Sequence, residues 1–222
     1  MSLTDHASKR RVFLVDDHPL VREWLTTLIN QQADLVVCGE AGDAPQALRA
    51  IEELRPDAAV IDMTLASGSG IELIKDLRRC CPTLAMVVLS MHDESLYAER
   101  ALRAGARGYV TKRETTKKIV AAIRKVLEGG IYTSEHFAAL MAQKLVDGRG
   151  SAVVSPAAGL SDRELEVFKM LGSAMETRQI GESLGISMKT VQVYCARIKE
   201  KLDVKTMNEL IREAVRWVEG QN

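Results

Sequence analysis

The sequence predicts an α/β fold, a doubly wound five-stranded parallel sheet, followed by a small all-α four-helix domain. Three observations predict it. Short apolar runs alternate with segments of helical period through the first 130 residues, those runs end in polar side chains, and from Leu160 helical periodicity continues without a strand. Strands of a parallel sheet are covered on both faces, so they read as unbroken apolar runs rather than alternating ones.

The first strand is Val12–Val15, and Pro19 suits the first turn of a helix carrying Leu20, Val21, Trp24, Leu25, Leu28 and Ile29. Leu35–Cys38 is the second strand; Asp43 caps a helix with Ala47, Leu48, Ile51 and Leu54, and Arg55-Pro56 ends it. Ala58–Ile61 is the third, followed by a helix marked by Ile71, Leu73, Ile74 and Leu77 and stopped by Pro82. Met86–Leu89 is the fourth; Asp93 or Ser95 starts the next helix, through Leu96, Ala101 and Leu102, and Gly105 closes it. Gly108, Tyr109 and Val110 form the fifth strand, and a helix through Ile119, Val120, Ile123, Val126 and Leu127 stops at Gly129-Gly130.

Composition sets bounds. The length of 222 residues suits two domains, and 30 basic against 30 acidic residues leave no global field, so a nucleic acid or a membrane has to be met by a local patch. Cys38, Cys80, Cys81 and Cys195 show no CxxC spacing and read as reduced thiols. The start MSLTDHASKRR lacks an apolar signal core, and no run reaches the roughly eighteen apolar residues of a spanning helix. These features predict a cytoplasmic protein without a membrane partner.

The C-terminal ends of parallel strands share one edge, where polar residues converge at the topological switch point. Here those ends hold Asp16 and Asp17, Asp62, Ser90 and Lys112. A lone Asp after a strand is usually a turn former or a cap. Three carboxylates brought together need a hard divalent cation, and oxygen ligands in an open site suit Mg²⁺. An ammonium, a hydroxyl and a metal around a carboxylate nucleophile are what an acyl phosphate requires.

From Ile131 the signal weakens. Phe137, Ala138, Leu140, Met141 and Leu145 can line one more helix, and DGRGSAVVSPAAG has linker composition. The expected division is residues 1–130, a linker over 131–159, and 160–222. In the last part Ser161 and Glu164 form a capping box before Leu165, Val167, Phe168 and Leu171; Thr177 caps the next helix, which carries Ile180 and Leu184. Gly185-Ile186-Ser187 turns into a third helix with Val191, Cys195, Ile198 and Leu202 inward, which makes a helix-turn-helix. Met207, Leu210, Ile211, Ala214, Val215 and Val218 trace a fourth. The local patch is Lys189, Arg197, Lys199, Lys201 and Lys205, against Glu200 and Asp203 alone.

Residues 11–128 resemble the receiver domain of two-component response regulators. The resemblance implies that Asp62 is the phosphoacceptor, that Asp16 and Asp17 hold Mg²⁺ with it, and that the Thr64 main-chain carbonyl completes the metal site. It also implies Ser90 and Tyr109 as switch residues and Lys112 as the phosphate-binding lysine. Two positions depart from the family pattern, Ala66 and Arg113, where many receivers carry Pro.

LSDRELEVFKML, TRQIGESLGIS and KTVQVYCARIKEKL resemble the LuxR-type output domain, so the whole chain resembles a NarL/FixJ-type response regulator, with Ala174 where a Gly is common. The resemblance implies a sensor histidine kinase as phosphodonor, double-stranded DNA as target and a homodimer on it, and no enzyme beyond self-phosphorylation and autodephosphorylation. Gln192, Val193 and Ala196 then face base edges, and Lys189, Thr190, Tyr194, Arg197 and Lys199 lie nearer phosphates. By periodicity alone Val193 is equally a core residue, and Leu210, Ala214 and Trp217 are either a dimer surface or the domain's own core. A competing reading, an aspartyl-phosphate hydrolase, needs a second Asp at the position of Thr64 and a cap domain; regulation by protein contacts without phosphate leaves the five polar residues at four strand ends unexplained.

Overall fold

The computed structural model describes residues 9–65, 69–91, 94–112, 116–146 and 156–220. Ala66, Asp93, Arg113 and residues 147–155 of the expected linker lie outside them. The chain divides into two compact units, residues 1–139 and 140–222.

In the N-terminal unit β1 (Arg10–Val15), β2 (Leu35–Ala41), β3 (Ala58–Asp62), β4 (Ala85–Ser90) and β5 (Gly108–Thr111) form one sheet in the order β2-β1-β3-β4-β5. Every pairing is parallel. Helices α1 (Pro19–Asn30), α2 (Ala44–Leu54), α3 (Gly70–Cys80), α4 (Glu94–Ala104) and α5 (Thr116–Leu127) alternate with the strands. The winding reverses between β1 and β3, so Asp16 and Asp62 straddle the switch point. Val12 and Leu14 share a core with Leu25 and Ile29 of α1 and Ile119, Ile123 and Val126 of α5. On β3 all five residues are buried, so the strand that ends in Asp62 is held from both sides.

Local chemistry fixes the element ends as the sequence indicates. The Asp43 carboxylate accepts from Gln46 N at 2.8 Å, and Arg55 takes a left-handed φ of 46° that turns the chain out of α2. At the start of α3 an ideal Cβ on Gly70 would lie 2.2 Å from the Asp62 carbonyl oxygen and 2.9 Å from Met63 Cα. Only glycine lets this helix begin against the backbone of the strand end.

Beyond Gly130 the chain keeps pairing with the sheet: Tyr109 N donates to Tyr132 O, and Tyr132 N to Arg107 O, both at 2.9 Å. The extra helix expected after Ile131 is α6 (Glu135–Val146), with Phe137 buried near its start.

The C-terminal unit holds a short 3₁₀ turn (Pro156–Gly159) and helices α7 (Asp162–Gly172), α8 (Thr177–Leu184), α9 (Met188–Leu202) and α10 (Met207–Glu219). The Ser161 capping box is present: Glu164 N donates to Ser161 Oγ and Ser161 N to Glu164 Oε2. Thr177 is not a cap. It is the first residue of α8, preceded by Glu176, and the Gln179 side chain reaches back to accept from the Glu176 N–H at 2.9 Å. Leu210, Ala214 and Trp217 are buried, and Trp217 packs its ring 5.7 Å from that of Phe168. Of the two readings open for these three, the domain's own core is the one the fold takes.

Ala174, at the position where the family commonly has Gly, adopts φ 60° in the turn between α7 and α8. A Cβ in the left-handed region costs about 1–2 kcal/mol, and part of that is returned by the stiffer unfolded chain. Ala174→Gly should therefore stabilise the C-terminal unit by about 0.5–1 kcal/mol, read as a higher urea midpoint with an unchanged slope.

Candidate functional site

The strand ends of the N-terminal unit converge on one ammonium. Lys112 Nζ donates to Asp16 Oδ2 at 2.7 Å and to Asp62 Oδ2 at 2.6 Å, across separations of 96 and 50 residues. Register explains the meeting. Val15 pairs with Ile61, Asp62 with Leu89 and Ser90 with Thr111, so residues that end their strands lie side by side. Lys112 N donates to Ser90 O at 2.7 Å, which carries the ladder one residue past β5 and places the lysine over the edge.

Asp16, Asp62 and Ser90 are each at most 5 % exposed, unusual depth for carboxylates. Tyr109, two residues before Thr111 on β5, is buried as well. Thr64 has an exposed side chain; its N–H donates to Asp62 Oδ1 at 3.3 Å, and its backbone bridges to Ser69 across the loop.

Burial lifts the Asp62 carboxyl from its ordinary 3.8 to about 6, and the Asp16 charge adds to this, while the Lys112 ammonium opposes both. For Lys112 burial favours the neutral amine, but the two carboxylates outweigh it and raise its pKa above the ordinary lysine value.

Asp16, Asp17, His18 and Asp62 each offer a ligand atom, all within 4.8 Å of one another. Asp17 Oδ1 is buried, and His18 Nδ1 lies 2.7 Å from it. Three carboxylates this close together, with only one ammonium and one imidazole beside them, are a donor set that fits a hard divalent cation. His18 was not singled out from the sequence. Its signal was the Asp-Asp-His run itself, which carries the imidazole onto the same edge, where His18 N also donates to Asp16 Oδ1 at 2.9 Å.

The second group of residues lies on α9. Val191, Cys195 and Ile198 are buried, and the opposite face presents Lys189, Gln192, Val193, Ala196 and Arg197 to solvent. Thr190, Tyr194 and Lys199 are half-buried at its margins. Val193 is 45 % exposed, which rules out the core reading left open by periodicity. The turn that launches α9 is tight: Gly185 has φ 64°, and a Cβ on Gly181 would lie 2.8 Å from Ile186 O. Ser187 caps the helix through Thr190 N at 3.1 Å.

Of the basic patch counted from the sequence, Lys201 is already engaged. Its Nζ donates at 2.6 Å to the buried carboxylate of Glu164 at the start of α7, so it anchors the far end of α9 to the domain. No spacing signal links residues 37 apart across two helices.

Comparisons with known proteins cover both units. Residues 12–124 match the model of the response regulator receiver domain, and residues 158–214 that of the bacterial regulatory proteins of the luxR family. The transcriptional activator protein ExaE of Pseudomonas putida is 34 % identical over 204 residues, 92 % of this chain and 95 % of that one. The DNA-binding transcriptional activator DevR/DosR of Mycobacterium tuberculosis is 35 % identical over 196 residues, 88 % of this chain and 89 % of that one. Among solved structures, RcsB from Salmonella enterica serovar Typhimurium bound to promoter DNA superposes with a TM-score of 0.65 over 94 % of this chain and 99 % of that one; at 23 % identity the likeness is one of fold. With both units matched in order, and with relatives aligned over nearly their full length, the chain belongs to the NarL/FixJ-type response regulators, a receiver domain followed by a LuxR-type DNA-binding domain.

Proposed function

We propose that Asp62 accepts a phosphoryl group from a sensor histidine kinase and that this modification controls DNA binding through α9. The observation that carries the proposal is the buried Asp62 carboxylate at 2.6 Å from Lys112 Nζ, with Asp16 on the other side of the same ammonium. One Asp62 oxygen attacks phosphorus; the new O–P bond forms as the bond to the donor breaks, and the donor leaves with that electron pair. Lys112 then pairs with a phosphoryl oxygen, and the Ser90 hydroxyl donates to another. Asp16, Asp17 and Asp62, with the Thr64 main-chain carbonyl, would hold Mg²⁺, which when bound neutralises charge on the transferring group. Tyr109 and Ser90 act as the switch pair that reports the new charge to the surface.

The DNA reading is supported by the exposed basic and polar face of α9. Lys189 and Arg197 meet phosphates, with Thr190, Tyr194 and Lys199 flanking them, while Gln192, Val193 and Ala196 reach base edges. RcsB, on the same fold, is bound to promoter DNA. One such helix reads a short half-site, so two copies of the chain act together. With Leu210, Ala214 and Trp217 inside the domain, the half-exposed stripe Met207, Ile211 and Val215 of α10 is the surface left for that pairing.

Incubation of the full-length protein with Mg²⁺ and acetyl phosphate should add one phosphate mass to the wild type and none to Asp62→Ala. A phosphate mass on a folded Asp62→Ala variant would reject the assignment.

The Asp62 environment also predicts a stability change. Without metal the native state keeps the Asp62 proton up to about pH 6, whereas the unfolded chain releases it near 3.8, so stability falls as pH rises between these values. The full penalty, about 2–3 kcal/mol, is present above pH 6. In EDTA, Asp62→Asn should be more stable than wild type by about that amount at pH 7.5, with the gap closing toward pH 3.5. Urea unfolding at several pH values measures it, and added Mg²⁺ should stabilise the wild type more than the variant.

For the output domain, Lys189→Ala or Arg197→Ala should weaken binding to all DNA sequences and lower the salt slope by about one. Gln192→Ala should change sequence preference instead. Equal losses for Gln192→Ala on specific and random DNA would remove it from base reading.

A further inference from the structure

Cys80 is the last residue of α3 and Cys81 its cap, at the edge of the sheet opposite Asp62. Cys80 is exposed and Cys81 half-buried, and their sulfurs lie 3.6 Å apart. The Cys81 backbone is fixed on both sides: its N–H donates to Leu77 O at 2.7 Å, and its carbonyl accepts from Leu84 N at 3.1 Å. The pair opens onto a cleft of about 920 Å³ that Glu52, Arg55, Asp57 and Arg107 also line.

Two sulfurs on one tetrahedral centre at about 2.3 Å sit about 3.8 Å apart, and those on a pyramidal three-coordinate centre sit closer. A small side-chain rotation from 3.6 Å therefore brings both onto a single soft atom. A disulfide suits it less. Adjacent Cα atoms lie about 3.8 Å apart, short of the 4.4–6.8 Å range of ordinary disulfides. Partial desolvation, then the neighbouring Cys81 and Glu52, push the Cys80 thiol up to about 12. A conventional metal site is also unsupported, because among the described residues no third His, Cys, Asp or Glu completes a cluster with the two sulfurs. What fits two sulfurs and no third protein ligand is a soft centre that brings its own third substituent.

We propose that Cys80 and Cys81 form a chelating site for a monosubstituted trivalent arsenical. The two S–H groups condense with R–As=O: two As–S bonds form, the two protons leave with the oxide as one water, and arsenic stays trivalent. No oxidant is needed. The site is far along α3 from Asp62, so its occupation leaves phosphorylation from acetyl phosphate unchanged.

Phenylarsine oxide added to the reduced full-length protein should give one adduct by intact mass, the mass of the probe less one water. The adduct should survive excess 2-mercaptoethanol, be stripped by a dithiol such as 2,3-dimercaptopropanol, and disappear in Cys80→Ser and in Cys81→Ser. The double variant Cys38→Ser/Cys195→Ser should keep it. Circular dichroism and acetyl phosphate labelling confirm that each variant is folded. An adduct that persists in either single variant, or that 2-mercaptoethanol removes, overturns the proposal. Displacement of the probe by equimolar Zn²⁺ also overturns it, since that requires a third protein ligand.

Discussion

The N-terminal unit depends on one buried ammonium shared by two strand ends. Three carboxylates at this edge face a single lysine, so the cluster holds more negative than positive charge in a place that water screens poorly. Something has to relieve it. A proton on Asp62 relieves it, and burial first, with the Asp16 charge behind it, raises the Asp62 carboxyl to about 6. So would a divalent cation held by Asp17 and its two neighbouring carboxylates. The proposed phosphoryl group would redistribute it, by giving Lys112 new oxygens to bind. This imbalance is what supports the proposed regulatory chemistry: a site with every charge matched would gain less from a change of state.

The C-terminal unit contains the contrasting case. Glu164 is as deeply buried as Asp62, and burial again favours its neutral form, but Lys201 and the donors of Ser161 outweigh burial and bring its pKa below the usual glutamate value. One carboxylate has one ammonium and two cap donors to itself; the other shares an ammonium with Asp16. The first arrangement is satisfied and fixes α7 against α9. The second is left short and is available for chemistry. Burial alone does not separate structural from functional acids, whereas the ratio of partners to charges does.

These considerations also mark what was legible in the sequence. The strands, their order of alternation with helices, and the five polar residues at four strand ends could be read directly, because a buried parallel strand is an apolar run and its end is where polarity begins. The helix-turn-helix was legible for a similar reason, since Gly185 and Ser187 mark a turn and a cap whose geometry those residue types favour. What escaped depends on contacts distant in sequence. Lys201 looked like part of the basic face until its partner 37 residues earlier was seen. Val193 could have been core or surface, because α9 has apolar residues on more than one face, and only packing against α7 and α8 decides which of them is covered. The α8 cap fell one residue early because Glu176 and Thr177 can both fill that role, and side-chain reach chooses between them.

The polarity of the fold assigns different chemistry to its two edges. In a sheet wound this way every helix begins at the strands' C-terminal edge and ends at the other, so the positive ends of α1 and α3 face Asp16 and Asp62. His18 N, just ahead of α1, donates to Asp16 Oδ1, and α3 starts on the backbone that carries Asp62. Anions are therefore favoured at that edge before any cation arrives. At the opposite edge the last carbonyls of α3 face Cys80 and Cys81. Their partial negative charge disfavours thiolates in the same direction as burial does. A pair of thiols there stays neutral, and a neutral soft-donor pair answers to a different class of ligand from the carboxylates about sixteen ångströms of helix away.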